Sequence, residues 1–73
     1  MLICLNSVDK VKSFVNKVTN FEEEVDLVSG RYVVDAKSIL GIFSLDLTKP
    51  IKVDMDGIVR RQELLNILKD YAA

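Results

Sequence analysis

The 73-residue chain contains no histidine, one cysteine and one proline. Without histidine it has no side chain whose ordinary pKa lies near neutrality, so a proton shuttle or phosphoryl relay through imidazole is excluded. The lone Cys4 forms no internal disulfide and cannot build a zinc site by itself. Between Ile3 and Leu5 it reads as a small buried hydrophobe on a strand. Apolar runs are short, and none approaches the roughly 18 residues that suggest a membrane span. The opening MLICL is only five residues and lacks a charged lead, so it is not read as a signal peptide. Ten basic and eleven acidic residues leave a formal net charge of −1. That balance argues against a nucleic-acid partner, which calls for a concentrated positive field. The expectation is a cytoplasmic protein that contacts neither membrane nor nucleic acid.

What is present is an apolar fraction of 49%, too high for a disordered chain. It suffices for one small domain, 1–73, at a size where folding buries only about 60% of the extended chain's surface. Leu2–Leu5 reads as a short strand. Asn6 and Ser7 are acceptable caps for a helix whose apolar positions, Val8, Val11, Phe14, Val15 and Val18, recur at i, i+3 and i+4 up to about Thr19-Asn20. Lys10, Lys12 and Lys17 give that helix a basic outer surface. The following stretch switches to period two, with Val25 and Leu27 alternating against Glu24 and Asp26, then Tyr32-Val33-Val34. Ser29-Gly30 between them supplies a hairpin turn, giving strands of about 22–28 and 31–36. Glu22-Glu23-Glu24 is read as the solvated start of the first of these strands; with no histidine beside it, it suggests no metal.

Residues 35–47, DAKSILGIFSLDL, hold a short helix, with Ser44 and Asp46 helping to end it before Thr48-Lys49-Pro50. Ile51–Met55 alternates again as a fourth strand, and Asp56-Gly57 marks a turn. The tail, IVRRQELLNILKDYAA, is helical, with Leu64, Leu65, Leu68 and Tyr71 as its apolar stripe. Arg60 and Arg61 fall in its first turn, where the helix dipole disfavours cations. The predicted fold is α+β, an open-faced sandwich in the order βαββαβα. Its four-stranded, mainly antiparallel sheet has helices on one face and strand four between strands one and two.

The element order and the run Lys37-Ser38-Ile39-Leu40-Gly41-Ile42-Phe43-Ser44-Leu45 resemble the HPr family, the histidine-containing phosphocarrier proteins of the bacterial sugar phosphotransferase system. The resemblance spans most of the chain and is strongest from about Val25 to Val53. In that family the loop before helix one carries a histidine followed by an arginine and a proline, and the histidine relays a phosphoryl group between proteins. Here the matching stretch is Leu5-Asn6-Ser7-Val8-Asp9-Lys10, shorter and without any of the three. A phosphoserine is a stable ester and asparagine is not a nucleophile, so neither Ser7 nor Asn6 replaces imidazole. The expectation is therefore a protein with no catalytic residue and no cofactor.

Ser38 falls where many members of that family carry a regulatory serine phosphorylated by a dedicated kinase. Independently of the resemblance, serine is a preferred N-cap, worth about 1 kcal/mol, and a phosphate there would add roughly −1.5 to −2 charge. On the short helix Ile39 and Ile42 share one face while Leu40 and Phe43 share an adjacent one. One pair can face the sheet, leaving the other partly exposed. The resemblance implies that Leu40 and Phe43 meet protein partners, flanked by Lys10 and Lys17 of the first helix. The function expected is a non-catalytic, HPr-like protein-binding module, whose partners are phosphotransferase components. The alternatives are a regulatory target of an HPr kinase-type enzyme through Ser38, and a domain that homodimerises through its apolar helix face.

Overall fold

The computed structural model describes residues 1–73. Its elements are β1 (Leu2–Ile3), α1 (Val8–Thr19), β2 (Asp26–Ser29), β3 (Tyr32–Asp35), α2 (Ile39–Phe43), β4 (Ile51–Asp54) and α3 (Arg61–Leu68), closed by a 3₁₀ turn over Lys69–Tyr71. The strands form one antiparallel sheet in the order β1-β4-β2-β3. Strand β4 pairs with β1 through Leu2↔Lys52 and with β2 through Leu27↔Val53, so β1 and β2 run parallel without touching. This is the α+β open-faced sandwich that the alternation of periods predicts.

Period two decides which face of the sheet carries the helices. Ile3, Leu5, Val25, Leu27, Ala36, Ile51 and Val53 are buried, while Leu2, Asp26, Val33, Asp35 and Lys52, each one residue out of phase, are exposed. Against the buried face α1 sets Val11, Phe14 and Val18, α2 sets Ile42, and α3 sets Leu64 and Leu68. No polar or charged residue is buried, so the core carries no desolvation cost from unpaired polar groups.

Ser7 caps α1 by accepting the Lys10 backbone N–H at 3.1 Å, satisfying one of the helix's orphan donors. The β2–β3 hairpin closes on the pair Ser29↔Tyr32. Its first central residue, Gly30, has φ of 58°, the position at which a II′ hairpin turn calls for glycine.

Three boundaries differ from the expectation, each for a tertiary reason. β2 begins at Asp26 rather than near residue 22, because Glu22 and Glu23 turn away to meet the start of α3. That helix begins only at Arg61; before it, Ile58 turns into the core and Val59 out to solvent. Leu65, assigned to the apolar stripe, is 36% exposed, and Tyr71 is buried from the 3₁₀ turn rather than from α3 itself. Cys4 is half-buried rather than sealed in. Its backbone N–H donates to the Tyr71 carbonyl at 2.8 Å, and Ala73 N–H donates to the Leu2 carbonyl at 3.1 Å. The tail thus lies along the outer edge of β1, with Ala72 bridged to Ile3.

Candidate functional site

The link from β3 into α2 is held by three local bonds. Asp35 Oδ1 accepts the Lys37 backbone N–H at 2.8 Å, the side-chain turn aspartate favours at the end of a strand. The Ser38 N–H donates to the Asp35 carbonyl at 2.9 Å. Lys37 then reaches back and donates its Nζ to the Phe21 carbonyl at 2.7 Å, tying the link to the loop after α1. Lys37 therefore serves as an anchor, a role that its place in the sequence run did not suggest.

Ser38 is the N-cap of α2, with extended backbone (φ −98°, ψ 106°). Its Oγ accepts the Gly41 N–H at 3.1 Å, and its carbonyl accepts the Ile42 N–H at 3.0 Å. At the other end Ser44 Oγ donates to the Gly41 carbonyl, so Ser44 ends the helix. Asp46 instead organises the loop ahead of β4, where its Oδ1 accepts both the backbone N–H and the hydroxyl of Thr48. Those bonds, the hydroxyl's foremost, hold the Asp46 carboxyl below the usual carboxylate range.

The helix has one and a half turns, and only Ile42 is fully sealed in the core. Ile39 is half-buried against it. Leu40 is 81% exposed and Phe43 40% exposed. A five-residue helix has a single inward stripe, and the pair that the core does not take is left facing water. Gly41 permits a close seat on β3. A Cβ built there would stand 3.3 Å from Val34 Cβ and 3.2 Å from Ser38 Oγ, inside ordinary carbon contact of about 3.5–4.0 Å.

The lysines expected beside this face are elsewhere. Lys17 Nζ lies 3.2 Å from Asp70 Oδ2 and 5.3 Å from the Tyr71 ring centroid, and the Asp70 hydrogen bond is the first cause raising its pKa above the ordinary lysine value. Ser13 on the same flank of α1 shares a 2.6 Å hydrogen bond with the Tyr71 hydroxyl. Tyr71 also meets Phe14 edge-on, with centroids 5.4 Å apart. At 100° per residue, Lys10 falls on this flank with Ser13 and Lys17. The opposite flank carries Val8, Lys12, Val15 and Thr19. Since α1 packs against both α2 and α3, that flank is the one toward α2, and Lys12 is the lysine on it.

The loop before α1 is exposed and is organised by the cap of that helix. Asn6 and Ser7 are exposed, Ser7 Oγ accepts the Lys10 N–H, and Asp9 lies in the first turn of α1. The chain matches no family model and no curated protein.

Glu23 is the residue that sequence reasoning missed. Its Oε1 accepts the Val59 N–H at 2.8 Å and its Oε2 the Arg60 N–H at 2.7 Å. A carboxylate 36 residues upstream thus receives donors at the entry to α3, where Arg60, at the cap position, makes no side-chain cap bond. The Val59 bond first, then the Arg60 bond, hold the Glu23 carboxyl below its ordinary value. Arg60 is in turn flanked by Glu22 at 3.3 Å and Glu63 at 3.9 Å, which offsets the unfavourable dipole at its position.

Proposed function

We propose that this protein is an HPr-like, non-catalytic binding module that docks on components of the sugar phosphotransferase system through the outer face of α2 and carries no phosphoryl group itself. The observation that carries the reading is the exposure of Leu40 and Phe43 on a helix whose other face is anchored by Ile42 and whose start is capped by Ser38. Burying such a side chain fully contributes about 1.5–3 kcal/mol, and an aromatic beside an aliphatic is the composition from which interface anchors are made. Lys12, on the flank of α1 toward α2, supplies the positive rim. The βαββαβα order and the strand arrangement are those the resemblance implies, which supports the reading, as does a first loop without imidazole.

Two measurements test it. Calorimetric titration against Enzyme I of the phosphotransferase system should show binding that Leu40→Asp weakens at least tenfold; equal binding by the variant refutes the docking face. Incubation with Enzyme I and phosphoenolpyruvate should leave the protein unlabelled, and acid-labile phosphate on it refutes the non-carrier role.

A specific observation favours a second reading, in which Ser38 is the target of a serine kinase. Its Oγ accepts the Gly41 N–H but donates to no protein group, and the residue is half-exposed, so the hydroxyl is available to react. A phosphate there would place roughly −1.5 to −2 charge beside Leu40 and change what can dock. Mass analysis after incubation with HPr kinase should find one phosphate, lost in Ser38→Ala; an unmodified protein refutes this reading.

A further inference from the structure

The sheet face opposite the helices carries an ordered charge pattern that the α2 reading does not use. Residues on this face follow from the strand register. One row crosses the sheet as Leu2–Lys52–Val28–Val33, and the next, two residues along each strand, as Asp54–Asp26–Asp35. Three carboxylates therefore stand directly opposite one another on adjacent strands, an arrangement that destabilises a sheet. No cation of this chain forms an ion pair with any of them, because the four ion pairs present involve Asp70, Asp46, Glu22 and Glu63. On the far side of the middle row the sign reverses. Arg31, Lys49 and Lys52 line an open cleft of about 560 Å³ with Asp46, Leu2 and Tyr32. Arg31 and Lys52 are unpaired, and Lys49 lies 4.0 Å from Asp46. Leu2 and Val33 in the middle row are 52% and 61% exposed.

An acidic row at one end, Lys52 among apolar residues in the middle row and Arg31 at the other end make that surface complementary to itself. We propose that the open sheet face docks a second copy of this chain in an isologous dimer. The twofold axis lies between the two sheets and runs along the row Leu2–Lys52–Val28–Val33. Rotation about it keeps each strand position and exchanges the two ends, so the acidic row of one copy covers the row of the other that ends in Arg31. Asp35 then faces the Arg31 position of the second copy, and Lys52, close to the axis, leans toward the second copy's Asp54. Val28 and Val33 meet their own counterparts at the centre. An occupant with a single sign of charge would satisfy one end of the face and be repelled by the other; a second copy satisfies both.

The size of the face sets the strength. Three strand spacings of about 4.8 Å by three rows about 6.8 Å apart give a footprint of a few hundred Å², below the ~800 Å² per partner of a stable complex. The dimer is accordingly a weak, transient one, and salt weakens it because its charges are exposed.

Sedimentation equilibrium over a concentration series tests this, with amide spectra confirming that each variant is folded. Asp35 faces Arg31 of the second copy, so Asp35→Lys sets a cation against a cation there, Arg31→Glu sets an anion against an anion, and the two changes complement one another. Asp35→Lys also gives up the Oδ1 bond to the Lys37 N–H, so its amide spectrum is the check that the fold is kept. Each variant alone should self-associate at least tenfold more weakly than the parent chain, an equimolar mixture of the two should regain association, and Leu40→Ala should change nothing. A parent chain that stays monomeric to roughly 2 mM, reversals without effect, or a mixture that stays monomeric overturns the proposal. So does loss of association in Leu40→Ala, which would move the interface to α2. Because that face lies on the other side of the sheet, this result is independent of whether Enzyme I binds.

Discussion

Gly41→Ala sets two effects of known size against each other. In the interior of a helix, replacing glycine by alanine stabilises by about 1 kcal/mol, because glycine has more backbone freedom to lose. Against that, the new methyl would stand 3.2 Å from Ser38 Oγ, 3.3 Å from Val34 Cβ and 3.4 Å from Ser38 Cβ. None of the three can yield cheaply. Ser38 is held by the cap bond to Gly41's own N–H at 3.1 Å, and Val34 Cβ is attached directly to a backbone paired in register with Leu27. Relief must come from α2 lifting off β3, which loosens Ile42 in the core and costs about 1–3 kcal/mol as overpacking. The crowding exceeds the propensity gain, and the variant should be less stable by about 1 kcal/mol. For a domain of this size that lowers the melting temperature by roughly 4–8 °C, measurable by circular dichroism. Amide exchange should rise in residues 39–43 and stay unchanged in β2 and β4. A melting temperature raised by the full propensity gain would show that α2 is not seated as closely on β3 as described.

Glu23→Gln should make stability less sensitive to acid. The folded carboxyl titrates below its unfolded value of about 4.3, so its contribution is present above that pH and is lost as pH falls through the folded pKa. Denaturant midpoints from pH 7 to 3 should fall less steeply in the variant, and parallel curves would remove Glu23 as the acceptor for the entry to α3. The Lys17 link to Asp70 and Tyr71 has the opposite sign: with its pKa raised, its contribution is complete below about 10.4 and is lost as pH rises through the folded value. Lys17→Met should therefore flatten the alkaline limb of the stability curve, and an unchanged limb counts against the link. On α2 itself, Ile42→Ala should destabilise by about 2–5 kcal/mol, whereas Leu40→Ala should stay within about 0.5 kcal/mol of the parent; equal losses in urea titrations would contradict the two-faced helix.

The features legible in the sequence were those fixed by neighbours a few residues apart. The alternation of Ile51–Asp54, the glycine of the β2–β3 turn and the Ser38 cap are local choices, and each points to the element it forms. The division of α2 into two apolar pairs, Ile39 with Ile42 and Leu40 with Phe43, also follows from helical spacing, whereas which pair the core takes depends on how the helix seats on β3. What could not be read depended on contacts distant along the chain. Glu23 meets Val59 and Arg60 only because the loop after α1 passes the start of α3, and nothing within the run of three glutamates distinguishes the second. The common flank of Lys10 and Lys17 was available from the 100° repeat. Its direction, toward Tyr71 rather than α2, depended on where the tail packs, and Tyr71 lies 54 residues beyond Lys17 in the sequence. The three opposed aspartates required the register of β2 against both of its neighbours.

The tail that lies along β1 has a consequence for how copies of this chain can join. A sheet lengthens edge to edge only when each unit offers two free borders, one to accept a strand and one to pass the pattern on. Here the tail bridges Ile3 through Ala72 and donates from Ala73 to the Leu2 carbonyl, so the β1 border is covered over its short length and β3 presents the longer open one. Growth of the sheet edge to edge is thereby less favoured than in a sheet with two bare borders.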